Sequence, residues 1–253
     1  MWFMSTALRR RALTLADLLT HPKKVRHIIM REFEFSQVRH IIMRETQYGQ
    51  RRSNKTQWVE WQKYDALDHI SLMHKKDMTW SVLGKERLEI LSNMVNRAGS
   101  SLKVLDVGCG DGVVGDVLTK MGNSVTSVEL PKIANAAHSC QVKSIVAGDA
   151  EQLGFASNSF DMVIASEVME HLWRPNCFIK EAYRVLKPSG YLIAETPEGK
   201  ESLVFDAHRN FFTVEIFKHL FDGRFTILEW KRLSPINTTI PTIIVLSRKI
   251  NAS

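Results

Sequence analysis

The stretch that decides the fold is Leu102-Lys103-Val104-Leu105-Asp106-Val107-Gly108-Cys109-Gly110-Asp111-Gly112. A short apolar run, 102–107, reads as a buried strand and ends in a loop with glycine at alternate positions. A helix-competent stretch, 112–121, follows. Glycines let the backbone turn sharply and approach a ligand closely. The helix behind them aims unpaired N–H groups at that ligand. A dinucleotide fingerprint would need glycine at 113, where valine stands, and acids at Asp106 and Asp111 make a pyrophosphate an awkward guest. A zwitterionic or cationic ligand suits this loop better.

Working outward, short apolar runs alternate with helical stretches. Strands are expected at 102–107, 124–129, 142–147, 160–165, 190–196, 225–232 and 242–248, and helices at 112–121, about 131–139, 175–186 and 213–221. Strands alternating with helices imply right-handed crossovers and a parallel sheet covered on both faces. The last two strands follow one another without a helix and are expected to form an antiparallel pair. The fold class is therefore a doubly wound α/β domain with a mostly parallel sheet. Ligands in such sheets bind beyond the carboxyl ends of the strands. Acids stand at three consecutive ends: Asp106, Glu129 and Asp149. Glu129 is placed to accept hydrogen bonds from ribose hydroxyls, and Asp149 from an exocyclic amine such as that of adenine.

The motifs VLDVGCGDG (104–112), SVEL (127–130), GDAEQLGFASNSFDMVIASEVMEHL (148–172) and RVLKPSGYLIAETP (184–197) together resemble class I S-adenosylmethionine-dependent methyltransferases. Within that superfamily the likeness is to the small-molecule group that includes the ubiquinone-biosynthesis O-methyltransferases, and it covers about residues 80–249. The resemblance implies a Rossmann-like, seven-stranded sheet with its last strand antiparallel, preceded by an N-terminal helical extension. It implies S-adenosyl-L-methionine as cofactor. Asp106, Gly108, Cys109 and Gly110 would line the methionine part, with Gly112 allowing close helix approach. Glu129 would hold the ribose with Leu130 beside the adenine, and Asp149 and Ala150 would flank the adenine edge. Ser166 would touch the cofactor near the reaction centre. Arg87 stands about where related O-methyltransferases place an arginine for the cofactor carboxylate. Glu198 replaces the asparagine this group often carries after Thr-Pro, which puts an acceptor contact there in doubt.

Methyl transfer from a sulfonium is an in-line displacement, so the protein mainly positions the acceptor and excludes water. A hydroxyl acceptor needs a general base, for which His171 after the fourth strand is the first candidate and Glu167 the carboxylate alternative. The competing reading of His171 ties loop to sheet. His208 reads as a structural loop histidine ahead of a helix capped by Thr213. Methyl transfer does not itself require a metal. Glu170-His171 and Asp206-x-His208 are too sparse in sequence to argue for one, and no Cys/His cluster has zinc-like spacing.

Three segments divide the chain: a basic arm, 1–56; a helical lid segment, 57–101; and the methyltransferase-like domain, 102–253. The 253 residues carry a net charge of +7, but residues 1–56 hold 12 Lys or Arg against 4 Asp or Glu, so the remainder is nearly neutral. The arm repeats VRHIIMRE at 25–32 and 38–45, too short and too few copies for a solenoid. Its first 30 residues also resemble a transit peptide in composition, and a basic amphipathic segment lying on anionic lipid or RNA is a further reading that leaves peripheral membrane contact open; a solvated or loosely helical extension is the favoured one. Trp58, Trp61, Tyr64 and Trp80 read as core packing or as a substrate lid. Cys109, Cys140 and Cys177 are too few for a disulfide framework, which points to a reducing compartment.

The leading expectation is a methyltransferase for a small-molecule acceptor, methylated at oxygen, in the cytoplasm or, in a eukaryotic source, the mitochondrion. A nucleic-acid methyltransferase using the arm is the second expectation. Against it, SEVM stands where the amino-methylating N/D-P-P-Y/F signature would be. A non-catalytic module that binds S-adenosylmethionine is the third.

Overall fold

A computed structural model describes residues 55, 56, 58, 59, 80–110, 112–131, 133, 134, 144–204, 208–233 and 240–251. Most of the basic arm, Asp111, Cys140 and the aromatics Trp61 and Tyr64 lie outside the described residues, as does the side chain of Trp80. In chain order the elements are α1 (Trp80–Ala98), β1 (Lys103–Val107), α2 (Val113–Lys120), β2 (Ser124–Glu129), β3 (Ile145–Ala147), β4 (Phe160–Ser166), α3 (Pro175–Val185), β5 (Leu186–Pro197), α4 (Val214–Phe221), β6 (Phe225–Leu233) and β7 (Thr242–Lys249).

The strands form one seven-stranded sheet in the order β3-β2-β1-β4-β5-β7-β6. The pairs β3–β2, β2–β1, β1–β4 and β4–β5 are parallel. β7 runs antiparallel between β5 and β6, as the helix-free link between the last two strands leads one to expect. Successive strand residues face opposite sides. Leu105, Val107, Val163, Ala165, Leu192 and Ala194 thus join one core, under α3 and α4, while Val104, Met162, Ile164 and Ile193 join another, under α1 and α2. Apolar residues at both parities are what a parallel sheet covered on both faces demands.

Each helix offers a stripe at helical spacing. Leu91, Met94 and Val95 are buried on α1, and Phe178, Ile179, Ala182 and Val185 on α3. Pro175 begins α3, where its missing N–H costs nothing. Thr213 caps α4 as expected, accepting the Ile216 N–H at 3.3 Å. β5 differs from its expected start. It begins at Leu186 rather than 190, because Leu186 already pairs with Phe160 before the register shifts and resumes at Tyr191 opposite Met162. Lys187–Gly190 takes up that shift, with Ser189 at φ 59. No helix among the described residues is long and apolar enough to cross a membrane.

β1 has β2 on one side and β4 on the other, so the strand order reverses there. The carboxyl ends of β1 and β4 border the crevice where a doubly wound sheet takes its ligand.

Candidate functional site

The glycine loop leaves β1 at that crevice. Gly108 and Cys109 both donate their N–H to the carbonyl of Val128 on β2, at 2.8 and 3.2 Å. Gly108 has φ 70, and a Cβ there would lie 2.4 Å from Val168 Cγ2. No other residue satisfies both the left-handed backbone and the contact. Gly110, at φ 54, has nothing within 4 Å of where its Cβ would be, so the loop opens onto space. Cys109 is buried and packs rather than protrudes. Asp106 is only 2% exposed, tucked beneath the loop where Gly115 of α2 approaches its carboxylate. Its place is thus under the cradle that its loop forms.

Glu129 ends β2 and binds the loop back to the sheet. Its Oε2 accepts the Gly110 N–H at 3.1 Å and its Oε1 the Leu130 N–H at 2.7 Å. Burial raises its pKa, opposed by those two N–H groups and by His171 across the crevice. Each carboxylate oxygen has a second lone pair, so capacity for two hydroxyl donors remains. Asp149 follows β3 with its side chain 35% exposed, accepting the Glu151 N–H at 2.8 Å. Ala150 packs against the core beside it. Gly108, Gly110, Glu129, Leu130 and Asp149 thus stand along one rim of the sheet, at the ends of β1, β2 and β3.

Arg87 reaches the end of β5 from α1. Its guanidinium pairs with Glu195 at the end of β5, lies 3.5 Å from Glu167 Oε1 and donates to Ser166 Oγ at 3.4 Å. Ser166 in turn donates to Glu195 Oε2 at 2.6 Å. Burial acts to lower the Arg87 pKa, but Glu167 and Glu195 outweigh it and hold the pKa above its ordinary value. Arg87 is therefore a counter-ion to the buried acids Glu167 and Glu195.

Glu167 sits in a left-handed backbone, φ 56, immediately after β4. Non-glycine residues hold such a conformation at a cost, typically where the surroundings fix a functional turn. Its N–H donates to the Glu195 carbonyl at 3.0 Å. Burial pushes its carboxyl up to about 8 despite Arg87, with Glu170 and Glu195 adding to the rise. Glu170, fully buried, is pushed up to about 7 by the same desolvation. Thr196 Oγ1 donates to its Oε2 at 3.0 Å, while its Oε1 finds no hydrogen-bond donor among the described residues.

That free oxygen points to the two histidines. His171 Nε2 lies 3.7 Å from Glu170 Oε1, and the His171 and His208 rings meet edge to face at 5.0 Å. One ligand atom from each of Glu170, His171 and His208 falls within 4.8 Å of the others, a group able to hold one metal ion. The convergence is built by backbone: Arg209 and Asn210 donate their N–H groups to the Glu170 carbonyl at 2.7 and 3.0 Å. Asn210 Nδ2 donates to the Leu172 carbonyl at 2.7 Å. Sequence spacing does not reveal this cluster, since 37 residues separate the two histidines. The roles of Glu195 and of the deeply buried Glu170 leave little trace in sequence either; the one signal for Glu195 is an acid ending an otherwise apolar strand.

Residues 105–194 match the methyltransferase domain family, Methyltransf_11. A ubiquinone biosynthesis O-methyltransferase of Xanthomonas oryzae pv. oryzae is 34% identical over 125 residues, 45% of this chain and 50% of that protein. The mitochondrial ubiquinone biosynthesis O-methyltransferase of Rattus norvegicus is 37% identical over 107 residues, covering 38% of this chain and 31% of that protein. The chain thus spans about half or less of the length of these relatives. Among solved structures, N-methyltransferase NodS from Bradyrhizobium japonicum WM9, in complex with S-adenosyl-L-homocysteine, aligns with TM-score 0.60 and 17% identity over 74% of this chain and 99% of that one. At that identity the likeness speaks for the fold. The glycine loop, the strand-end acids and the match at 105–194 agree: that segment is similar to the methyltransferase domain family, and the relatives it resembles are ubiquinone biosynthesis O-methyltransferases.

Proposed function

We propose that this chain transfers a methyl group from S-adenosylmethionine to a hydroxyl of a small organic acceptor. The observation that carries the reading is the arrangement of two facing functions on one sheet edge. The glycine loop with Glu129 and Asp149 offers acceptors to a donor-rich nucleoside, and the Glu170–His171–His208 cluster stands beyond β4. The sulfonium brings positive charge into a rim lined by carboxylates, which suits it better than a pyrophosphate.

In the transfer, the acceptor oxygen attacks the methyl carbon while the C–S bond breaks with its electrons going to sulfur, leaving S-adenosylhomocysteine. The hydroxyl proton must leave. His171 is the group of the cluster placed to receive it, with its side chain 22% exposed and Glu170 beneath it. A second reading is favoured by the same cluster, because two imidazoles and a buried carboxylate form a donor set that suits a divalent transition metal. A cation held there would supply Lewis-acid polarisation of the acceptor oxygen. Oxygen as the methylated atom is supported by the relatives, which are O-methyltransferases.

The test is incubation of the full chain with isotopically labelled S-adenosylmethionine and a metabolite extract, with and without chelator. A labelled O-methyl product supports the reading, and its loss on chelation with recovery on adding Mn2+ or Zn2+ supports the metal-assisted form. A label found only on nitrogen would contradict the hydroxyl assignment.

A further inference from the structure

Two contacts cross from the N-terminal residues into the site, one at each end. Lys55 Nζ lies 2.8 Å from Asp149 Oδ2 and 3.0 Å from Glu151 Oε2. Three residues later Trp58, 1% exposed, donates its indole N–H to the carbonyl oxygen of His171 at 2.6 Å. Residues 55, 56, 58 and 59 are helical, so positions 55 and 58 stand one turn apart on a shared face.

The two anchor points are also joined on the far side. Glu151, beside Asp149, accepts the Arg174 N–H at 2.9 Å through its other oxygen. Next to Arg174, the Trp173 ring lies 3.7 Å from the Arg209 guanidinium, which also faces the Trp58 ring at 5.6 Å. Arg209 in turn holds the Glu170 carbonyl. The result is a closed frame: Asp149 and Glu151, Lys55, Trp58, His171, Arg209, Trp173, Arg174 and back to Glu151. A frame in which both loops hang from the same helical turn cannot shift at one end without loading the other.

We propose that Lys55 and Trp58 form a strap coupling occupancy of the Asp149 rim to the placement of His171, with Trp58 as positioning residue and Lys55 as the ionic foot. The proposal rests on the methyl-donor reading in that the ligand reaching Asp149 is the cofactor nucleoside. An amine arriving at Asp149 must share a carboxylate that Lys55 already holds. Glu151, more deeply buried and still bound to Arg174, keeps the ammonium when Asp149 turns toward the new donor. The resulting movement of Lys55 is delivered one turn later to the Trp58 indole, and through it to the peptide that carries the His171 ring.

The test uses the full chain with S-adenosylhomocysteine as probe, calorimetry for binding, and 15N NMR of the Trp58 indole and His171 imidazole. In the wild type, saturating ligand moves the Trp58 indole signal. Lys55→Met still binds, within about tenfold, the weight of one charged hydrogen bond, but its Trp58 signal no longer responds. Trp58→Phe keeps the ring and loses the donor; it binds within about threefold while the His171 signals shift in the free protein. Heat of binding without any Trp58 response, or an equal response in Lys55→Met, overturns the strap and leaves the methyl-donor reading standing. No heat at all removes that reading and the strap with it. If Trp58→Phe fails to fold, the comparison of wild type with Lys55→Met decides alone.

Discussion

The two halves of the crevice are built in opposite ways. At the rim of the glycine loop the contacts join neighbouring strand ends, Gly108 and Cys109 to Val128, Gly110 to Glu129 and Asp149 to Glu151, with Lys55 the one long-range addition among those described. At the reaction rim almost every contact is long-range. Arg87 from α1 meets Glu195 from β5, Glu170 meets Thr196, and His171 meets His208. The first rim follows from short motifs in which glycine conformation and a strand-end acid are sufficient. The second exists only once the sheet has put β4 beside β5 and the 208–212 segment has been hydrogen-bonded to the turn after β4. The rim beyond β4 and β5 therefore depends on more distant parts of the chain than the glycine-loop rim, whose core is a handful of residues at the ends of β1 and β2.

Four perturbations would break or sharpen that contrast. The largest effect is expected for Arg87→Met. Removing the guanidinium strands the buried Glu195 and the inward oxygen of Glu167, which should cost about 3–5 kcal/mol of folding stability. Urea unfolding measures it, and a loss near zero would show that the reaction rim is not a network. Gly108→Ala should cost about 2–4 kcal/mol, from left-handed strain plus the clash with Val168. Adding Val168→Ala should return part of that loss, since it removes the clash and not the strain; no recovery would mean the contact is irrelevant.

The third perturbation is pH. Glu167 and Glu170 have folded pKa values of about 8 and about 7, against 4.5 for an ordinary glutamate. The folded chain therefore holds protons that the unfolded chain releases above about pH 4.5, and stability must fall as pH rises from about 5 to 8. The thermal midpoint should drop by several degrees over that window, at about 2–4 °C per kcal/mol. Glu170→Gln should flatten the profile, and an unchanged slope would contradict the buried-acid account. The smallest effect is for Thr213→Ala, which removes only the cap of α4 and should cost about 1 kcal/mol while leaving S-adenosylhomocysteine affinity unchanged.

The same contrast explains what the sequence discloses. Most strand and helix placements among the described residues, the antiparallel last strand, the Thr213 cap and the glycine loop with its strand-end acids follow from periodicity and from motifs of a few residues; the expected helix at about 131–139 lies mostly outside the described residues. The pairing of Arg87 with Glu167 and Glu195 is not legible, because a chain position gives no information about which carboxylates a folded helix will meet. The Glu170–His171–His208 cluster is invisible for a related reason. Its ligands are distant in sequence and are brought together by Asn210 and Arg209 bonding to a turn, which leaves no spacing signature. Trp58 fills a core position, one of the two roles its aromaticity suggests, yet its use of the indole N–H on His171 depends on tertiary contact alone.

The account stands on the carboxylate-lined cofactor rim, and the direct test is calorimetric titration of S-adenosylhomocysteine into the wild type and Glu129→Ala. The prediction is clear binding to the wild type and a loss of about 10–100-fold in the variant, the weight of charged hydrogen bonds to ribose and loop. Absence of binding to the wild type, or equal affinity in Glu129→Ala, would contradict it.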